Sequence, residues 1–504
     1  MPANSKPFAG AQHEETLAPR AHGLAMNLRG YAFDMLLSEL ADVVGEAYVS
    51  TRPTDKLAYS TDWSWMPQVW LDRGEAPVTP DVIVHPASTE EIARLLTIAN
   101  LYRMPVVPWG GGSGTQGGAL PIYGGILLDV KRLDKILEID EISLTVRAQA
   151  GIVGTQLEWM LNEKNLTLPH YPASANMATL GGYLAARGSG VISTKYGKAE
   201  DLVLSLEAVM PNGDILRTPS VRSHASGPGL MNFLVGSEGT LGVITEATMQ
   251  IERLPETRLF NAVLFDDLGK ALEAGRRIMT ARLQPTVLRL YDPASTTSLI
   301  KRVLNMDLQG AYLILGFDGF EEIARAQEKR SLAICAELGA RDLGRESGEH
   351  WWDHRYDFYY PPLSLNLPKM YGTIETVCTF ANIEKLYYAK KQAIEDDFAE
   401  WKTRYIAHFS HWFPWGVMVY DRFIIDEPPQ DPHAALKLHN RIWTTAARVS
   451  LANGGVLNEH HGIGLKLGRL MREQYGTGWE TMETIKQALD PRGIMNPGKL
   501  GFGV

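Results

Sequence analysis

The chain has 504 residues, of which 45% are apolar and 21% charged, the balance of a globular protein with two or more domains. Its net charge of −9, with no concentrated Lys/Arg run, argues against nucleic acid as a partner. Two cysteines, Cys335 and Cys378, are too few for a disulfide framework. No apolar run reaches the ~18 residues of a membrane span, and the N-terminus has no apolar signal-peptide core. A cytoplasmic protein is therefore expected.

Residues 1–30 read as a disordered or extended arm. From Tyr31 to Val44, Phe33, Leu36, Leu37, Leu40 and Val43 recur at helical spacing and Gly45 closes the pattern, which predicts an amphipathic helix. Tyr59–Trp65 is dense in aromatic and hydroxyl groups and suits either a core loop or a ligand wall. Asp81–Pro86 is a β-branched run closed by proline, and predicts a strand. Ser88 and Glu91 form a capping box that opens a helix with Ile92, Leu95, Leu96 and Ile98 facing inward. Met104–Val107 and Gly125–Val130 predict two more strands, completing a β-α-β unit.

Between those last two strands lies Pro108-Trp-Gly-Gly-Gly-Ser-Gly-Thr-Gln-Gly-Gly118. Six of its eleven residues are Gly, and amides freed in such a loop form an anion-binding nest. It is neither a GxxxxGK[ST] phosphate loop nor a GxGxxG turn opening a helix; it suits a pyrophosphate held between two strands. More small-residue turns follow. Gly151–Gly154 precedes a helix at Thr155–Lys164, and Pro172–Gly182, Arg187–Gly190 and Lys195–Gly197 come next. After a strand at Leu202–Met210 and a hairpin turn at Pro211–Asp214, Phe233–Thr245 is another. So many loops of small residues suit a long ligand threaded along backbone.

Four segments together resemble the vanillyl-alcohol-oxidase / p-cresol-methylhydroxylase flavoprotein superfamily. They are Pro108–Gly118, Ala173–Gly182, Gly236-Ser-Glu-Gly-Thr-Leu-Gly242 and the tail Leu489-Asp-Pro-Arg-Gly-Ile-Met-Asn-Pro-Gly-Lys-Leu500. Within that superfamily the chain looks most like alkylglycerone-phosphate synthases and D-2-hydroxyacid dehydrogenases. The resemblance implies an α+β protein: a two-lobed FAD-binding domain of the vanillyl-alcohol-oxidase type with an α+β substrate cap domain. A composition shift near Pro255 sets the expected boundaries at 31–255 for the FAD domain, 256–455 for the cap and 456–504 for a segment returning to the FAD domain. Strands are predicted at Leu259–Phe265 and Ala311–Phe317, and helices at Glu321–Leu338, Asn382–Asp397 and from Trp479 into the tail. The implied cofactor residues are Pro108, Gly110, Gly111, Gly112, Ser113, Gly114, Thr115 and Gly118, then Thr179, Gly181, Gly182, Ser189 and Gly190. Glu238, Thr240, Gly242, Val243, Ile244 and Asn496 complete the set. Some members attach FAD through a His in or near the first glycine loop; this loop has no His, so noncovalent FAD is expected.

The expected chemistry rests on five residues. His460 and His461 precede Gly462-Ile-Gly464, and imidazole suits proton transfer near pH 7; the synthases have three His here, whereas this chain begins with Glu459. By resemblance Tyr420 matches the acid Tyr of the synthases, His170 a position near the flavin, and Arg355 of Trp352-Asp-His-Arg355 the Arg that grips a substrate carboxylate. Some of the dehydrogenases bind a metal through two His and a Glu. Here His411 fits the first, but the second falls on Met418 and the Glu on His460, so no metal is expected, with His408, His411 and His460 as the alternative zinc set. Trp351, Trp352, Tyr359, Tyr360, Trp412 and Trp415 point to an aromatic or otherwise apolar small-molecule substrate, and the resemblance implies a homodimer. The expected function is FAD-dependent oxidation of an alcohol, phenolic or 2-hydroxyacid substrate with Tyr/His acid-base assistance. The alternative is an alkylglycerone-phosphate-synthase-like transfer through a flavin–substrate adduct without net redox change.

Overall fold

The computed structural model of the chain describes residues 28–76, 78–360, 362 and 365–503. Most of the expected N-terminal arm lies outside these residues. The helix at Tyr31–Val44 forms with the predicted bounds and buries Leu36, Leu40 and Val44.

The β-α-β unit is present. Strands Val82–Val84, Ile126–Asp129 and Val106–Trp109 run parallel, with Val49–Ser50 antiparallel at the edge. The crossover helix Thr89–Tyr102 buries Ile92, Leu95, Leu96 and Ala99 at i, i+3, i+4 and i+7; each large side chain contributes about 1.5–3 kcal/mol by leaving water. Ser88 Oγ accepts the Glu91 amide at 3.1 Å, while the Glu91 carboxylate takes the amide of Ala87 at 2.7 Å, one residue before the cap. The glycine loop leaves the carboxyl end of Val106–Trp109, where open parallel sheets bind ligands. The tail reaches the same strand: Val106 N–H donates to Ile494 O and Asn496 N–H to Val106 O, both at 2.8 Å.

A second sheet is antiparallel, ordered 136–140, 145–149, 243–250, 203–209, 215–217. Its helices include Gly154–Asn162 and Leu180–Ala185, the latter opened by Thr179 at its N-cap.

From Thr257 to Ile425 one antiparallel sheet dominates, ordered 341–343, 257–265, 311–319, 287–291, 404–413, 416–425, 370–373, with 376–379 also paired to 416–425. Helices Leu268–Thr280, Ile383–Asp397 and Pro432–Ala452 cover one face, and Leu288, Leu290, Phe409, Val417, Val419 and Phe423 join Ile278, Leu386 and Ile442 in that core. Side chains alternate across a strand, so Arg289, Tyr291, His408, Tyr420 and Arg422 turn to the opposite face. The register sets Tyr291 beside His408 and His408 beside Tyr420. A bulge at His411, with φ 51°, interrupts the ladder between Ser410 and Trp412 and re-aims that imidazole. Cys335 and Cys378 are free and buried. Among the described residues no helix is long and apolar enough to cross a membrane.

Candidate active site

A cavity of about 320 Å³ lies between the glycine loop and the open face of the large sheet. One wall is Pro108, Gly110–Thr115, Gly118, Thr179, Gly181, Gly182, Ser189, Gly190, Glu238 and Gly242–Ile244. The other brings in Arg289, Tyr371, Thr373, His411, Tyr420, Arg422, His460 and His461. Trp63 lines it as well, which resolves Tyr59–Trp65 into both expected roles: Trp63 on the wall, Trp65 in the core.

The glycine loop owes its composition to packing as much as to any ligand. A Cβ on Gly111 would lie 2.0 Å from Met177 O, and Gly112 has φ +62°. Lys131 Nζ holds the loop by its carbonyl side, 3.1 Å from Gly110 O. Among the described residues the amides of Gly111–Thr115 have no partner within the protein. These residues are half-buried or exposed toward the cavity, and a row of free N–H groups facing it fits a diphosphate.

Four residues expected at the site do not line the cavity. Thr240 is buried and donates to Ser237 O at 2.7 Å. Asn496 ties two loops together, its Nδ2 donating to Gly118 O at 2.9 Å and to Glu238 O at 2.6 Å. His170 packs edge-on against Tyr183 behind the loop, and burial pushes its imidazole down to about 3. Arg355 donates to Trp352 O at 2.6 Å and stacks on Trp352 and Tyr356. Glu238 lines the cavity, yet its carboxylate also accepts the amides of Ile463 at 2.5 Å and Gly464 at 2.9 Å. It thereby anchors the His460–Gly464 turn.

That turn presents both imidazoles. The carboxylate of Glu375, buried between two strands, accepts the amides of His460 and His461, each at 3.1 Å. Its oxygens also lie 3.1 Å from His460 Nδ1 and 2.6 Å from His461 Nδ1. Burial pulls the Glu375 carboxyl up, but the two imidazoles prevail and hold it at about 2. Burial lowers His460 to about 4, against the upward pull of Glu375. Glu375 therefore stays charged and offers a counter-ion to a proton arriving on the pair. Tyr420 lies with its ring centre 5.4 Å from that of His461, and stacks on His408 at 4.7 Å. Burial raises Tyr420 well above its ordinary range and drives His408 well below. Tyr420 is thus a phenol that donates, and His408 a neutral ring.

Between His411 and His460 the structure places Glu459, one residue before the position matched to the family's Glu. Glu459 Oε2 lies 3.0 Å from His411 Nδ1 and 2.8 Å from His460 Nδ1, while Lys198 Nζ stands 3.1 Å from Glu459 Oε1. Among the described residues two clusters have metal-like spacing, His411/Glu459/His460 and Glu375/His460/His461; His408 is in neither. Glu459 already faces an ammonium, and Glu375 has both imidazoles beside it.

Residues 80–219 match the model of an FAD binding domain, and residues 254–500 that of the C-terminal domain of FAD linked oxidases. The alkyldihydroxyacetonephosphate synthase of Dictyostelium discoideum is 30% identical over 456 residues, 85% of this chain and 74% of that protein. The chain belongs to the FAD-linked oxidase family. The glycolate oxidase subunit GlcD of Bacillus subtilis is likewise 30% identical, over 84% of this chain and 89% of that protein. A solved alkyldihydroxyacetonephosphate synthase superposes with a TM-score of 0.76 at 25% identity, covering 99% of this chain and 88% of the other. A p-cresol methylhydroxylase superposes at 0.77 and 16% identity over 95% of this chain and 99% of the other, a likeness of fold. The family member described here is an FAD-dependent enzyme, and the cavity with its row of free amides fits FAD.

The site residues that sequence reasoning missed are Glu375, Arg289, Arg422 and Lys198. Arg422 had a signal: it stands two residues after Tyr420 on a strand, hence on the same face.

Proposed function

We propose that the enzyme oxidises an alcohol, phenolic or 2-hydroxyacid substrate, with His461 as proton acceptor and Tyr420 as hydrogen-bond donor to the substrate oxygen. One observation carries the reading: a single cavity has a row of free amides on one wall and, on the other, an imidazole backed by a charged carboxylate. FAD bound there supplies a two-electron acceptor for the substrate C–H bond. The amides of Gly111–Thr115 and the Ser113 hydroxyl hold its diphosphate, and Gly181, Gly182, Ser189 and Gly242–Ile244 line the rest. Attachment is noncovalent, because the loop offers neither His nor Cys.

As the C–H bond breaks, the substrate O–H proton passes to His461, and a carbonyl product forms. Glu375 facing Nδ1 fixes the ring with Nε2 on its opposite edge and stabilises the imidazolium, the role a carboxylate plays behind a general base. Tyr420 keeps its proton and donates to the same oxygen. Tyr360 OH donates to Ala173 O at 2.8 Å, tying the cap segment to the lobe beside the cavity.

Identity to two synthases favours a second reading, group transfer of the alkylglycerone-phosphate type with no net redox change. Anaerobic mixing of the FAD-loaded protein with a panel of phenolic alcohols and 2-hydroxyacids separates the two. Loss of the oxidised flavin band supports oxidation. An unchanged band, alongside turnover of an acyl-dihydroxyacetone phosphate, contradicts it.

A further inference from the structure

Two guanidinium groups face the cavity without a counter-ion. Arg422 is 2% exposed and Arg289 4%, and both line the wall built by the large sheet. Among the described residues neither pairs with a carboxylate. Arg422 leaves Nε and Nη1 without a hydrogen-bond partner. Arg289 Nη1 donates to Tyr359 OH at 2.9 Å, and Arg422 stands 5.5 Å from the centre of the same ring, so the two cations converge on Tyr359.

The neighbouring acids are already engaged. Asp421 turns to the other face, where Lys390 Nζ lies at 2.9 Å and Tyr405 OH donates at 2.6 Å. Glu375 faces the two imidazoles, and Glu459 faces Lys198. His408, between the two arginine-bearing strands, is held neutral by burial and by both guanidinium groups. Arg422 also lies 4.9 Å from the Tyr420 ring centre. Stacking on phenols partly compensates a buried cation but leaves its in-plane N–H donors unmet. A buried charge needs a hydrogen-bonded partner of opposite sign, and here the open side is the cavity.

We propose that the substrate carries a compact oxyanion, a carboxylate or a phosphate, bound by Arg422 and Arg289 with Tyr359 between them. This rests on the reading of the cavity as the FAD and substrate site. It moves the anion clamp from Arg355, which does not line the cavity and stacks on Trp352 and Tyr356, to strand residues beside Tyr420. It also narrows the substrate: an uncharged alcohol leaves both cations without a counter-ion and the Nε and Nη1 donors of Arg422 unmet.

The FAD content of purified protein is measured first; its absence would count against the FAD site itself and not against the clamp. FAD-loaded protein is then titrated with oxalate, with inorganic phosphate and with uncharged 4-methylphenol, following the flavin absorption band. A saturable shift with an oxyanion is expected, and the tighter of the two names the carboxylate or phosphate source. Arg422→Met and Arg289→Met should each weaken it roughly 10- to 100-fold, the worth of a charge-assisted hydrogen bond. Arg422→Lys should recover part of that loss, and unchanged FAD content and melting temperature show the variants folded. Oxyanion affinities indistinguishable among wild type, Arg422→Met and Arg289→Met would overturn the proposal. So would binding of 4-methylphenol with neither oxyanion bound.

Discussion

Replacing Glu375 by Gln tests the acid-base arrangement without reshaping it. The side chains have the same size, and the Gln carbonyl still accepts the two amides that fix the turn. What disappears is the charge 2.6 Å from His461 Nδ1. The Glu375 carboxyl is held at about 2 against an ordinary 4.5, which corresponds to about 3 kcal/mol of preference for the charged form. Most of that preference comes from the imidazole pair, and by reciprocity the same coupling favours a proton on the pair. Its loss should slow anaerobic flavin reduction about 100-fold and shift the limiting pKa of the rate downward. The assay is stopped-flow decay of the oxidised flavin band across pH, with melting temperature and FAD content as controls. If Glu375→Gln is reduced as fast as wild type with an unmoved pH profile, Glu375 is only a fastener of the turn and the argument fails.

Gly111→Ala should fold but hold FAD poorly, because its Cβ meets Met177 O at 2.0 Å; a displaced loop should weaken retention roughly tenfold or more, read from the flavin-to-protein absorbance ratio after gel filtration. Acid-precipitated protein should be colourless, with all flavin in the supernatant; a yellow pellet would contradict noncovalent attachment. Burial lowers His170 from 6.5 to about 3, so the unfolded chain takes up this proton first as pH falls. Stability from this residue is present above pH ~6.5 and is lost toward pH 3, by about 2 kcal/mol between pH 7 and 5. Denaturant unfolding at the two pH values should show at least that loss, because burial also lowers His408 and His460, and His170→Gln should reduce it by about 2 kcal/mol.

The glycine-rich wall of the cavity was legible because contiguous backbone segments build it. Pro108–Gly118, Gly181–Gly190 and Glu238–Ile244 each bring contiguous glycine-bearing backbone to the cavity wall, and the chain order of strands around them follows from local pattern. His460, His461 and Tyr420 were found through motifs. The opposite wall was less legible, because strand pairing assembles it across long separations. Arg289 and Arg422 are isolated cations in apolar strands, and only the register with 404–413 brings them to one face. Glu375 sits between two short strands and reads as an ordinary turn acid; the tertiary placement of the 458–464 turn makes it a ligand of two imidazoles. His411 was singled out by its motif, but its turn toward Glu459 depends on a bulge that sequence periodicity does not reveal. Arg355 shows the converse: its motif is present, but its side chain folds back on Trp352.

The central claim is that a substrate C–H bond breaks as the flavin is reduced. Its most direct test takes the compound that bleaches the flavin fastest and replaces the hydrogen on its carbinol carbon with deuterium. The expected result is slower bleaching, with a carbonyl product that has lost the label. Equal bleaching rates with the label retained in the product would contradict the account.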